Sequence, residues 1–325
     1  MRNEPAVSVI MIFLNAGRYI AESIETVLSQ TYENFELILV DDGSSDGSTR
    51  IARACESDHA DKVRYLEHPG HQNLGMSASR NAGISHARGR FIAFLDADDK
   101  WLPRKLETQV AVLEGRPDVA LVYDASMVWY PPQNDPPREE RLGPPRRLGV
   151  EPNTLIEPPR LIPLFLRGVA LTPGTCSVLV RREAVRHVGG FMADFRGLYE
   201  DQVFFYKLCL EHPVFLCDGS TALYRQHADS SCYQAEAAGL YHSDNRPSST
   251  GRRFLEWLNR YLRERGIEDS AVHAALEEAT WPYRHPVLYA ARRVLARHAR
   301  SWAMTAARRS LPPALRKGIR RLLEA

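Results

Sequence analysis

Five apolar residues, Phe91 to Leu95, run without a break into Asp96-Ala97-Asp98-Asp99, so three carboxylates fall within four positions. An uninterrupted apolar run is the mark of a strand covered on both faces, as in a parallel sheet. The carboxylates need the opposite environment. Held a few ångströms apart at a strand end, they raise one another's pKa unless a divalent metal or a basic group neutralises them. Hard oxygen ligands on such a turn suit Mg²⁺ or Mn²⁺, and those ions suit a diphosphate. An isolated Asp-x-Asp reads equally well as a solvated turn, so the residues around it decide.

The preceding ninety residues repeat the same architecture. VSVIMIF (Val7 to Phe13) is a β-branched apolar run, followed by Ile20, Ile24, Val27 and Leu28 at helical spacing. FELILV (Phe35 to Val40) is a second strand and stops in DDGSSDGS, where Ser44, Ser45 and Asp46 are candidate N-caps for the next helix. VRYLEH and RFIAFL supply a third and a fourth strand, with a helical stretch from about Met76 to His86 between them. Alternating strands and helices predict an α/β fold, a doubly wound, mostly parallel sheet flanked by helices. In such sheets ligands bind beyond the carboxyl ends of the strands, the edge shared by Asp41-Asp42 and by Asp96-Asp98. Neither G-x-G-x-x-G after the first strand nor G-x-x-x-x-G-K-[ST] occurs, so metal-held phosphate is expected in place of a glycine cradle.

Four segments in order, from VSVIMIF to VDDGSSDGS, then GMSASRNAGI, FLDADDKW and YEDQVFF, resemble the inverting nucleotide-sugar glycosyltransferases of family two, which have the GT-A fold. The resemblance spans roughly residues 5 to 230 and implies a nucleoside-diphosphate sugar donor, UDP-linked by preference, and Mn²⁺ or Mg²⁺ as cofactor. By position, Asp42 is similar to the residue that accepts the base N–H, and Asp41 suits a turn-forming role. Asp98 resembles the metal ligand, with Asp96 at the ribose or the metal, Asp99 orienting them and Arg80 beside the diphosphate. Phe13 and Asn15 are expected at the donor, flanking Leu14, which stands where a tyrosine is frequent. Asp201 matches the general base that takes the acceptor's proton. It follows Glu200, a substrate-site candidate, at a helix N-terminus whose dipole favours negative charge. His227 in LYRQHADSS is a candidate metal or phosphate contact. His68 and His71 flank a Pro-Gly turn and call for no functional account.

The rest of the chain organises around that core. Residues 1–100 are expected to form the nucleotide-sugar half and 101–235 the acceptor half, with a basic helical extension over 236–325. Ten of the 21 prolines lie between Pro131 and Pro163, which predicts an extended or mobile loop rather than helix or central strand. Five irregularly spaced cysteines without C-x-x-C argue against a disulfide framework or structural zinc, and suit a reducing cytosol. The short apolar run at the N-terminus is not expected to be a signal peptide. From Arg284 onward eleven Lys or Arg face one acid, Glu324. Leu288, Leu295 and Trp302 fall on one helical face and Arg293, Arg297, Arg300 and Arg308 opposite, and Leu315, Ile319 and Leu322 repeat the pattern. That segment, 284–325, suits an anionic membrane surface on the cytoplasmic side and a glycan or lipid-linked acceptor. Little aromatic interleaving argues against nucleic acid. Two other classes fit parts of the pattern. A haloacid-dehalogenase-type phosphatase also uses Asp-x-Asp after a strand, but Asp99-Lys100-Trp101 follow here where a small hydroxyl residue belongs. A non-catalytic nucleotide-sugar-binding protein would not need both Asp98 and Asp201.

Overall fold

The computed structural model of the chain describes residues 4–134, 137–240 and 246–295. Burial on both faces dictates the centre: β1 (Val7–Phe13) and β2 (Phe35–Asp41) are buried at every residue. β3 (Val63–Glu67) is buried only at Val63 and closes one edge of the sheet. Helices α1 (Ile20–Leu28), α2 (Ser48–Asp58) and α3 (Met76–His86) connect these strands to β4 (Phe91–Asp96). β1 runs parallel to both neighbours, pairing Phe13 with Asp41 of β2 and Ile12 with Asp96 of β4. That register brings the two acidic strand ends to either side of one strand. Gly83 lets α3 lie close on the sheet, since a Cβ there would sit 2.4 Å from Ile10 Cγ2.

The second half begins with β5 (Lys100–Trp101), α4 (Lys105–Gly115), β6 (Leu121–Tyr123) and β7 (Met127–Tyr130). The proline-rich stretch then forms β8 (Gln133–Asn134), β9 (Pro137–Arg138), β10 (Arg141–Pro145), β11 (Thr154–Ile156) and α5 (Leu161–Leu166). β12 (Val178–Arg181), α6 (Arg182–His187), α7 (Glu200–Glu211), β13 (Val214–Leu216) and β14 (Ala222–Arg225) follow. The last elements are α8 (Ser231–Ala237), α9 (Ser249–Glu264) and α10 (Ser270–Arg284).

The main sheet has eight strands in the order β11-β13-β6-β12-β4-β1-β2-β3. β12 runs antiparallel to β4 and β6, and β11 to β13; the other pairings are parallel. A second sheet, β10-β7-β14-β5, begins with β5 just after the acidic end of β4, and its β14 ends two residues before His227. The proline-rich segment is therefore not simply a loop. Its strands take positions where a missing N–H is tolerated: β10 and β11 are edge strands, and β8 and β9 pair with each other. Pro163 sits in the first turn of α5, where its N–H would have no helical partner. A second correction concerns α2, whose N-cap is Gly47 and not Ser44, Ser45 or Asp46. Asp46 acts one residue earlier, its carboxylate accepting the Ser48 N–H at 2.9 Å and the Gly17 N–H at 2.8 Å.

The chain divides into two compact units, residues 1–276 and 277–325, so α8 and α9 belong to the first. In the second, residues 286–295 are helical, and Val287, Leu288, Val294 and Leu295 are exposed. Trp302, Arg297, Arg300, Arg308, Leu315, Ile319 and Leu322 lie outside the described residues. No helix among the described residues is long and apolar enough to cross a membrane.

Candidate active site

The acidic edge is organised by one buried arginine. Arg80, 2% exposed on α3, donates from Nη2 to Asp96 Oδ1 at 2.7 Å and from Nη1 to Glu200 Oε1 at 2.8 Å. It thereby joins the end of β4 to the head of α7. Its guanidinium carbon lies 5.2 Å from the centroid of the Phe191 ring. Desolvation of so buried a cation is offset by the charges of Asp96 and Glu200, which hold Arg80 firmly protonated.

Asp98 points differently from Asp96. Its Oδ2 is 3.0 Å from His227 Nε2, whose ring stands 4.7 Å from that of Tyr19. His227 Nδ1 is buried without a hydrogen-bond partner. Asp99 is buried, accepts the Arg225 N–H at 2.9 Å, and is pushed well above the usual carboxylate range by burial and then by Asp98 and Asp96. The turn itself is held from α1, where Ser23 Oγ lies 2.8 Å from the Ala97 carbonyl and 2.7 Å from that of Asp99. Arg225 completes the support. Its Nε donates to the Asp98 carbonyl and its Nη2 to Glu22, both at 2.5 Å, while its guanidinium is flanked by Trp129 and Tyr19 at 4.2 and 4.7 Å.

At the head of α7, burial outweighs the helix dipole. Glu200 is 5% exposed and its carboxyl is pushed up to about 7, by burial first and then by Asp201, with Arg80 opposing. The dipole favours negative charge at this position, but it acts only over the first turn and is worth about 0.3–1 kcal/mol, less than the burial that raises Glu200. Asp201 is also raised by burial, although Arg80 pulls it down. It remains partly exposed and accepts the Gln202 N–H at 2.7 Å.

The donor-side candidates gather at the ends of β1 and β2. Asp42 is 4% exposed; its Oδ1 accepts the N–H groups of Leu74 and Gly75 at 2.8 and 3.0 Å, and Oδ2 lies 3.1 Å from the Gly75 nitrogen. Asp41 binds the Ser44 N–H at 2.8 Å and the Thr49 hydroxyl at 2.6 Å. Asn15, at φ 52°, receives nothing from the sheet and instead ties to the turn after β2, its Oδ1 accepting from Ser45 N at 2.7 Å. Phe13 is buried and Leu14 is exposed. His68 calls for an account after all, because its Nε2 is 2.8 Å from Ser79 Oγ and 3.5 Å from Asp42 Oδ1. Its position beside a Pro-Gly turn concealed that neighbour. Arg225, Glu22 and Tyr19 were likewise missed; the only sequence signal was Arg225 lying two residues before His227.

No group of three His, Cys, Asp or Glu among the described residues forms a ready metal cage. The donors present still suit a divalent ion. Asp98 Oδ2 and His227 Nε2, 3.0 Å apart, offer one hard oxygen and one borderline nitrogen, a pair that would suit Mn²⁺ better than Mg²⁺.

The profile described as "Glycosyl transferase family 2" matches residues 8–189, more than half of the chain. Over 114 residues, 35% of this chain and 40% of the relative, the sequence is 47% identical to EpsE of Bacillus subtilis (strain 168). Over 107 residues, 33% of this chain and 40% of the relative, it is 44% identical to WfgD of Escherichia coli, a UDP-Glc:alpha-D-GlcNAc-diphosphoundecaprenol beta-1,3-glucosyltransferase. The matched stretch thus spans less than half the length of either relative. Among solved structures, the mannosyltransferase PcManGT from Pyrobaculum calidifontis, in complex with GDP-Man and Mn²⁺, aligns with a TM-score of 0.58 at 18% identity, covering 100% of this chain and 82% of that one. Staphylococcus aureus TarS 1–349 in complex with UDP-GlcNAc aligns with a TM-score of 0.54 at 18% identity, covering 86% and 81%. At these identities the likeness is one of fold, the GT-A arrangement expected from the sequence.

Proposed function

Because the chain belongs to glycosyl transferase family 2, we propose that it moves a sugar from a nucleoside-diphosphate donor, a UDP-sugar, to an acceptor hydroxyl in one displacement that inverts the anomeric centre. The observation that carries this reading is Arg80, whose two ion pairs hold Asp96 at the acidic end of β4 and Glu200 at the head of α7 against one site. Asp42 receives the base N–H: a carboxylate offers about four lone-pair positions, and the backbone donors of Leu74 and Gly75 leave room for one more. Asp98 and His227, with Asp96 beside them, are the residues that would hold a divalent ion, which when bound offsets the charge that leaves with the diphosphate.

Asp201 takes the proton of the acceptor hydroxyl. Burial makes it a stronger base than an exposed aspartate, and its partial exposure leaves it within reach of an acceptor. Glu200, pinned to Arg80, orients that first turn.

The acceptor belongs to a cell-envelope or lipid-linked glycan. The name of the E. coli relative gives it a diphosphoundecaprenol-linked acceptor. The exposed Val287, Leu288, Val294 and Leu295, with Arg292 and Arg293 beside them, suit the cytoplasmic face of an anionic membrane, and the sequence that follows is rich in Lys and Arg.

Release of UDP from UDP-glucose and UDP-GlcNAc in the presence of Mn²⁺ tests the reading. Wild type releases UDP with at least one of these donors, and Asp201→Asn loses about 10²–10⁴ in rate while binding UDP normally. An Asp201→Asn variant as active as wild type, beside a dead Glu200→Gln, reverses the two roles. Turnover of neither donor removes the UDP-sugar assignment.

A further inference from the structure

The residue before the proposed base is held in a conformation that tyrosine ordinarily avoids. Tyr199 has φ 66° and ψ 4°, in the left-handed region, where Cβ crowds the backbone and only glycine is at ease. A non-glycine residue keeps such a conformation only when its surroundings over-determine it. Part of those surroundings comes from α9, outside the matched residues 8–189. The Tyr199 ring stacks on Phe254 with centroids 5.0 Å apart and planes inclined by 21°.

Phe254 is 4% exposed and belongs to a face of α9 that includes Gly251, Leu255, Leu258, Tyr261 and Leu262, all buried at three- and four-residue spacing. The same face touches α7 and the loop that leads into it. Phe254 meets Tyr206 edge-on at 4.9 Å, and Trp257 meets Phe195 at 6.1 Å. Arg253 covers the Phe195 ring and donates to the Asp194 carbonyl at 2.6 Å. At the far end of α7, Glu211 pairs with Arg265 at 3.3 Å and accepts from the Tyr261 hydroxyl. α9 therefore grips α7 at both ends.

We infer that α9 is a positioning element of the active site: Phe254, acting through Tyr199, sets the direction in which the first turn of α7 presents Asp201. This rests on Asp201 being the base. The contacts of α9 run along α7 to Glu211, and one of them lays an aromatic ring on Tyr199, the residue of positive φ next to Glu200 and Asp201. A misplacement of about 1 Å at a reacting group can cost about 10²-fold in rate, so the brace acts on turnover and not on donor binding.

The test uses the full-length chain and UDP-glucose or UDP-GlcNAc with Mn²⁺, whichever donor is turned over faster. Phe254→Ala should lower turnover by about 10- to 10²-fold while the donor KM and UDP affinity stay within about twofold. Amide hydrogen exchange should accelerate over residues 199–205 while β1 and β4 remain protected. Adding Tyr199→Gly to Phe254→Ala should recover part of the turnover, because glycine holds φ near 66° without a brace. Unchanged turnover, unchanged exchange at 199–205, or exchange that rises equally in β1 and β4 overturns the inference and leaves α9 a structural support. An Asp201→Asn variant as active as wild type removes the base assignment instead, while the exchange at 199–205 still decides whether α9 braces the turn.

Discussion

Replacing Arg80 by leucine should destabilise the protein by an amount that depends on pH in a defined way. In the wild type Glu200 sits at about 7 against an ordinary value of 4.5. A carboxyl raised by folding makes stability fall as pH rises, here from about 4.5 to about 7, above which the folded and unfolded states are both ionised and the loss is complete. Arg80 opposes the rise, so without it Glu200 moves further up, toward the range of about 8–9 seen for buried glutamates. Below about pH 7 Glu200 is protonated in both proteins, and the variant loses the pair with Asp96, the hydrogen bond to a neutral Glu200 and the contact with Phe191. Above it the wild type has ionised and the variant has not, so the gap widens by about 1.4 kcal/mol per pH unit. Between about pH 6 and about pH 8.5 the extra destabilisation should reach about 2 kcal/mol. Urea unfolding followed by circular dichroism at the two pH values measures it. In a Glu200→Gln background the same Arg80→Leu change should widen less, leaving only the part that comes from Asp201, whose carboxyl Arg80 also pulls down. An equal loss at both pH values, or a widening undiminished by Glu200→Gln, refutes the ion-pair reasoning.

Asp42→Ala should weaken UDP binding by about 1–3 kcal/mol, the cost of leaving buried donors unpaired, in a calorimetric titration; equal affinities would count against base recognition at this residue. Asp98→Asn and excess chelator should each suppress UDP release, and readdition of Mn²⁺ should restore only the chelated wild type; activity indifferent to chelator would dismiss the metal. Liposome sedimentation should show the full chain on anionic vesicles at low salt and released as salt rises, since each basic residue near such a surface contributes about 1 kcal/mol before screening. A chain truncated after Tyr283 that binds equally well would take the tail out of the account.

Much of the donor half is legible because its rules are local or nearly so. VSVIMIF, FELILV and FIAFL carry only Ser8 and Glu36 between them, where a half-exposed strand would alternate polar residues along its wet face, so each reads as a strand covered on both sides, and β1, β2 and β4 are that. The carboxylates at their ends then share an edge because parallel strands share a direction. The second sheet was not legible. Its strands are two to five residues long, one of them proline-bearing, and they pair across the whole chain, as Leu223 of β14 does with Lys100 of β5.

What the sequence determined by itself is therefore the inventory and the edge: a buried parallel sheet, acids at its carboxyl end, and a second acidic pair heading a later helix. Which acids face which bases was decided only by tertiary structure. Arg80 could have been a surface arginine of α3, Glu200 could have been held ionised by the helix dipole, and Tyr199 gives no sign in its own neighbourhood of a positive φ. In each case the outcome depends on what the fold brings near: Asp96 and Glu200 for Arg80, burial for Glu200, Phe254 for Tyr199. Local pattern encodes which face of an element must leave water; charge state and backbone strain follow from what else arrives there, because desolvation and close contact act through space and not along the chain.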